Sequence, residues 1–217
     1  MRVAVLGTGD VGLNLGTRLV QVGHEVKMGS RTADNQKAIE WSKTTGPGAS
    51  HGTFADAASF GEIVFNCTSG VGSLEALKMA GEENLKGKVL VDVSNPLDFS
   101  RGMPPTLAVC NTDSLGEQIQ RSFPEVRVVK ALNMVGHDLH ANPERVPGDH
   151  DALICGNDSE AKAQVTKILK DWFGWKSVID LGDIAGSRGM EMYLTLWLRL
   201  AQAGNWAPLN IKVVRPS

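Results

Sequence analysis

The chain has 217 residues, 42% of them hydrophobic, and 22 Lys plus Arg balance 24 Asp plus Glu for a formal charge of -2. Such a length buries most of its apolar surface in one core and leaves room for a small C-terminal lobe. Charge this close to neutral excludes a field that would draw in nucleic acid or an anionic membrane, so small-molecule partners are expected.

The opening MRVAVLG turns to glycine after an apolar run too short for a signal peptide, and no later stretch reaches spanning length; a cytoplasmic protein is expected. From there, strand-like runs alternate with segments of helical period. RVAVL leads into a helix over 11–22, EVKM into one over 33–43, and EIVFNC into one over 73–80. KVLVDV follows, then a helix over 114–122, RVVKAL, DALICG, a helix over 159–172, and KSVIDL. This alternation predicts an α/β, Rossmann-type doubly wound and mostly parallel sheet, with residues 1–135 as the nucleotide-binding domain. Residues 136–217 would form a smaller helical or α+β portion.

Two connectors, 94–106 and 136–151, are long, polar and rich in turn residues, which suits walls of a site better than spacers. The last helix, 188–203, carries apolar side chains on nearly every face, so it must be buried on several sides, in the core or against a second subunit. Cys67, Cys110 and Cys155 are widely spaced and show no CxxC, which fits reduced thiols rather than disulfides or a zinc knuckle.

In VAVLGTGDVG the glycines Gly7, Gly9 and Gly12 follow the first strand and open the first helix, the context in which GxGxxG binds a dinucleotide. Gly7 makes the turn, Gly9 lets the backbone approach a pyrophosphate, and Gly12 packs helix on strand. The whole loop, Gly7, Thr8, Gly9, Asp10, Val11 and Gly12, would contact the cofactor, with the pyrophosphate on the helix N-terminus. About 20 residues on, an NAD site places an acid that bonds the ribose hydroxyls. Here the stretch reads Gly29, Ser30, Arg31, Thr32. A guanidinium fork and two hydroxyls in place of a carboxylate point to the 2′-phosphate of NADP(H), with Lys37 on the next helix as a second contact.

Taken together, RVAVLGTGDVG, HEVKMGSR, CTSGVG, VLVDVSNPL, VVKALN and GSRGMEMYLTLWLRLA make a chain that resembles the deazaflavin-coenzyme-dependent NADP reductases. That group is similar in turn to the cytosolic domains of membrane ferric reductases and to pyrroline-carboxylate reductases. The resemblance implies an NADP-dependent oxidoreductase that passes a hydride between NADP(H) and a flavin-like or deazaflavin coenzyme held ring to ring. In such chemistry the protein supplies orientation and exclusion of water.

Ligands of a doubly wound sheet lie beyond the strand C-termini. Thr68, Ser69 and Gly70 after EIVFNC would meet ribose and pyrophosphate, while Asn95 and Pro96 after KVLVDV would border the nicotinamide. Asn133 and Met134 follow RVVKAL, with His137 behind them as a candidate proton donor. His137, His140 and His150 share an irregular loop with Asp138, Asp149 and Asp151, and no metal is expected there because fixed ligand spacing is lacking. Trp197 suits a core or an interface and Trp206, after a glycine break, would reach a neighbouring site; helix and tail together favour a homodimer over burial within one chain. Reduction of a small carbonyl or imine, and a non-catalytic NADP(H) sensor, are the rival readings.

Overall fold

In the first strand, β1 (Arg2–Leu6), Val3 and Val5 project into one core and Ala4 and Leu6 into the other, all four fully buried. Burial on both faces is what a central parallel strand covered by helices requires. The computed structural model describes residues 1–216. After β1 come α1 (Asp10–Gln21), β2 (Glu25–Ser30), α2 (Gln36–Thr45), β3 (Ala49–Thr53), α3 (Phe54–Phe60) and β4 (Ile63–Asn66). Then follow α4 (Ser73–Ala80), α5 (Glu82–Leu85), β5 (Val89–Asp92), β6 (Leu97–Asp98), β7 (Thr106–Leu107), α6 (Leu115–Ser122) and β8 (Arg127–Ala131). The chain closes with β9 (Asp151–Gly156), α7 (Ser159–Asp171), β10 (Ser177–Asp180) and α8 (Ser187–Ala203).

One eight-stranded sheet runs in the order β3-β2-β1-β4-β5-β8-β9-β10. Its first six strands are parallel, β9 runs against β8, and β10 is parallel to β9. The parallel part has the dinucleotide-binding strand order, and the chain reverses direction across the sheet between β1 and β4, where a crevice opens at the strand C-termini. Leu15 and Leu19 of α1, Trp41 of α2 and Val165, Ile168 and Leu169 of α7 cover one face. Phe54 of α3, Leu77 of α4, Leu115 and Ile119 of α6 and Met190 of α8 cover the other.

Several short elements escaped the sequence reading, among them β3, α3 and α5. The edge strand β3, ASHGT, has no apolar run because only one neighbour and part of one face cover it. The short helix α3 begins at a capping box between Thr53 and Asp56, a signal visible in the sequence as Thr-x-x-Asp. The second helix starts at Gln36 and is capped by the Asn35 side chain, so the helix expected over 33–43 begins about one turn later. The connector 94–106 is not structureless, since β6 and β7 pair within it as a small antiparallel ribbon.

Within one chain, α8 buries only part of its apolar surface in the core. Met190, Leu194 and Ala201 enter the chain's own core, whereas Met192, Leu196 and Leu200 stay 37%, 54% and 41% exposed. Those three lie four residues apart, so they form one uncovered apolar stripe.

His140 sits in the core, its Nε2 3.1 Å from the Val135 carbonyl, and the nearby Trp175 indole donates to the His140 carbonyl at 3.0 Å. Burial pushes its imidazole down to about 4 from an ordinary 6.5. The unfolded chain therefore takes up a proton near pH 6.5 that the folded chain refuses until about 4. Its contribution to stability is complete above the upper value and declines through this window by about 3 kcal/mol in all. Urea unfolding from pH 7.5 to 4.5 should show this decline, and His140→Gln should have a flatter profile than the wild type.

Candidate active site

The glycine loop is built for backbone to meet a ligand. Gly7 has φ +115, its amide donates to the Gly29 carbonyl at 2.9 Å, and a Cβ there would lie 2.5 Å from the Cys67 carbonyl oxygen. At Gly12 a Cβ would come within 2.1 Å of the Gly7 carbonyl oxygen, which explains helix-on-strand packing with no side chain between. Gly9 faces open space, with nothing within 4 Å of the position of a Cβ. It is also the N-cap of α1 and offers no capping side chain. The first-turn amides of a 12-residue helix thus point at the crevice without a partner of their own. Thr8 is half-buried, Val11 lines the crevice, and Asp10 is exposed in the first turn.

At the C-terminal end of β2, packing explains one residue and leaves another free. A Cβ on Gly29 would meet the Ala57 Cβ at 2.9 Å and the Leu6 side chain at 3.1 Å, so α3 demands glycine here. Ser30 is buried, and its hydroxyl donates to the Thr32 carbonyl at 2.6 Å, which shapes the turn. Arg31, Thr32 and Lys37 are exposed beside it. A guanidinium nitrogen of Arg31 reaches across to Gly72, 4.0 Å from where a Cβ would stand, so it lies over the mouth of the crevice. Among the described residues no carboxylate pairs with Arg31.

Beyond β4 and β5 a cavity of about 230 Å³ gathers Val11, Thr68, Ser69, Gly70 and Asn95, with Ser94 and Phe99 in its wall. Its two walls touch, because a Cβ on Gly70 would sit 1.9 Å from the Asn95 carbonyl oxygen. Pro96 is buried under Asn95, and its carbonyl accepts the Ala108 amide at 2.8 Å, which ties the turn to the chain after β7. Asn133 lies under the cavity and pairs with Asn95 in both directions, at 2.8 and 2.9 Å, while its amide also donates to the Met190 carbonyl at 3.2 Å. It clamps the ends of β5 and β8 to α8.

His137 lies elsewhere. It is exposed and lines two other cavities, one with Asn14, Thr17, Arg18 and Arg145 and one with Trp197 and Trp206. His140 and His150 bond to the carbonyls of Val135 and Pro143, and among the described residues no group of three His, Cys, Asp or Glu could hold a metal ion.

One cluster was not read from the sequence. Lys130 is fully buried, and its three donors are used on Asp92 Oδ2 at 2.8 Å, Glu191 Oε1 at 2.8 Å and the Ser94 carbonyl at 2.6 Å. Burial by itself would push this ammonium down, but Asp92 and Glu191 outweigh it and hold it above the usual lysine range. Asp92 also accepts from Asn66 at 2.9 Å and Ser94 at 2.6 Å, and Asn66 accepts from the Thr68 hydroxyl at 2.7 Å. Glu191 accepts the first amides of α6, Leu115 at 2.8 Å and Gly116 at 3.0 Å. The signal was present as a Lys inside VVKAL and an Asp inside VLVDV, two charges in runs otherwise fit for a core.

Residues 2–96 match the family described as NADP oxidoreductase, coenzyme F420-dependent. The F420-dependent NADP reductase of Methanocaldococcus jannaschii is 34% identical over 209 residues, which cover 92% of either chain. This chain belongs to the F420-dependent NADP reductase family. A provisionally assigned F420-dependent NADP reductase from Arthrobacter sp. FB24 superposes with a TM-score of 0.92 at 48% identity, over 98% of this chain and 99% of that one. Metalloreductase STEAP3 of Rattus norvegicus is 34% identical over 192 residues, 88% of this chain but only 36% of that longer protein. A Streptomyces aurantiacus imine reductase, 19% identical with a TM-score of 0.68, shares the fold over 95% of this chain and 64% of its own. The match to the F420-dependent family model ends at Pro96, so it takes in the glycine loop, Arg31 and the cavity residues from Val11 to Asn95, but not Leu97 and Phe99.

Removing the ammonium would leave Asp92 and Glu191 buried without their cation. Lys130→Met should lose about 3 to 5 kcal/mol of stability, read as a lower urea midpoint with an unchanged slope.

Proposed function

We propose that this protein transfers a hydride between NADP(H) and coenzyme F420, a deazaflavin. The observation that carries the NADP half is the combination of an uncapped α1 with an unpaired Arg31 and no acid at the end of β2. The residues fit the cofactor. The α1 amides face the place of a pyrophosphate across the bare Gly9, and Arg31, with Thr32 and Lys37 beside it, can hold a 2′-phosphate bidentately. The Ser30 hydroxyl already donates into the turn, so it shapes that subsite and can only accept from a ligand. The nicotinamide would supply the hydride.

What remains for this chain is to orient and to keep out water. Thr68 and Asn95 stand on walls fixed from behind by Asn66 and Asn133, so the cavity between them has one shape. Its wall holds no histidine or carboxylate, and the only thiol, Cys67, is pushed up by burial and is a poor proton donor. A hydride passing between two rings needs no protein acid here, whereas reduction of a carbonyl or imine would. This favours the first chemistry, and it gives His137, which lines other cavities, no assigned part in the step.

On this reading residues 1–135 carry the NADP half and residues 136–217 complete the acceptor side. We assign the protein to the cytoplasm and to a homodimer, the latter supported by the stripe of Met192, Leu196 and Leu200 on the outer face of α8. Among the described residues no helix is long and apolar enough to cross a membrane.

The decisive assay follows oxidation of NADPH, and separately of NADH, against coenzyme F420 and ordinary flavins. Fast loss specific to NADPH and F420 is expected, and equal use of NADH would defeat the role of Arg31. A charge-assisted hydrogen bond contributes roughly 1.5 to 3 kcal/mol, so Arg31→Ala should raise the KM for NADPH on the order of 10- to 100-fold with little change for NADH. Leu196→Glu should shift the mass measured by light scattering from dimer to monomer, and a wild type already monomeric would remove the second copy from the account.

A further inference from the structure

Both walls of the cavity hang from one buried cation. Ser94 and Asn95 form one wall, and Lys130 holds the Ser94 carbonyl directly. Thr68, Ser69 and Gly70 form the other, and Thr68 is held through Asn66 to Asp92, which Lys130 also holds. The third partner, Glu191, belongs to α8, whose Met190 carbonyl receives the Asn133 amide beneath the cavity. The glycine loop and Arg31 lie on β1, α1 and the end of β2, and no member of this network bonds to them.

We propose that Lys130 is a positioning residue for the nicotinamide end of the crevice, acting through the Ser94–Asn95 turn, the Thr68 wall and α8; this rests on the NADP(H) reading above. The ammonium touches no ligand. It sets where the walls stand, because its three short bonds go to β5, to the turn that follows it and to α8, and a lysine with no free proton cannot exchange one partner for another without breaking a bond. Ground given at any of these contacts is transmitted to Asn95 or Thr68 within one or two bonds. The adenine end should be indifferent to it.

That asymmetry is the test. Adenosine 2′,5′-bisphosphate reports the glycine loop and Arg31 alone, whereas NADPH engages both ends. The variant Asp92→Asn/Lys130→Met/Glu191→Gln removes all three charges at nearly constant volume, a kind of exchange that folded proteins often tolerate. Single Asp92→Asn, which keeps the Lys130–Glu191 pair, serves if the triple variant does not fold. Titration should give a bisphosphate Kd within about twofold of the wild type, a reduced advantage of NADPH over the bisphosphate, and a kcat with coenzyme F420 lower on the order of 10- to 100-fold. NADPH affinity and kcat both unchanged would overturn the proposal, as would a parallel loss of bisphosphate affinity, which would make the network general scaffolding. A wild type that binds neither ligand would instead sink the NADP(H) reading itself, and the proposal with it.

Discussion

A lysine sealed between two carboxylates is the constraint on which the crevice depends. Lys130, Asp92 and Glu191 come from β8, β5 and α8, and they meet with no solvent among them. One cation and two anions leave an excess of negative charge. The α6 amides given to Glu191 and the Asn66 and Ser94 donors given to Asp92 offset it, so every charge is both paired and hydrogen-bonded. Apolar residues of the same volume could fill this space with equal stability. They could not fix the directions of three chain segments at once, which is the service a set of oriented bonds provides.

Charge is then distributed along the crevice in a way that suits its ends. The mouth presents the uncapped amides of α1 and the Arg31 guanidinium, donors whose chemistry suits the phosphate-bearing part of a dinucleotide. The interior is neutral and lined by hydroxyls, an amide and apolar side chains. A hydride leaves one ring and enters another with little need for a nearby acid, and a neutral wall suits that transfer. Membership of the F420-dependent NADP reductase family fits this division of labour. The longer metalloreductase matches 88% of this chain with only 36% of its own length, so similarity to most of this chain recurs inside a larger protein.

The last helix has two tasks on two faces. Its inner face carries Met190, Glu191 and Leu194 into the core and the ion network, while its outer face displays the apolar stripe. A contact on that outer face would therefore act on the same helix that supports Asn133 and Lys130.

The local pattern determined the parallel sheet, the glycine loop and the absence of an acid after β2, because alternation, spacing and residue type are written in consecutive letters. It also named Thr68, Ser69, Gly70 and Asn95, since strand ends follow from strand positions. It missed β3, whose edge position needs few apolar residues, and it could not say which cavity His137 lines, because distance along the chain from Asn133 does not fix where a loop residue faces. Only the tertiary structure could show that Gly29 is demanded by α3, that Asn95 and Asn133 pair, and that Lys130 finds Glu191, 61 positions away, at 2.8 Å. A buried charge in a strand announces that it has a partner, but the identity of that partner is decided by how helices dock on the sheet, and docking is a property of the assembled core rather than of any stretch of sequence.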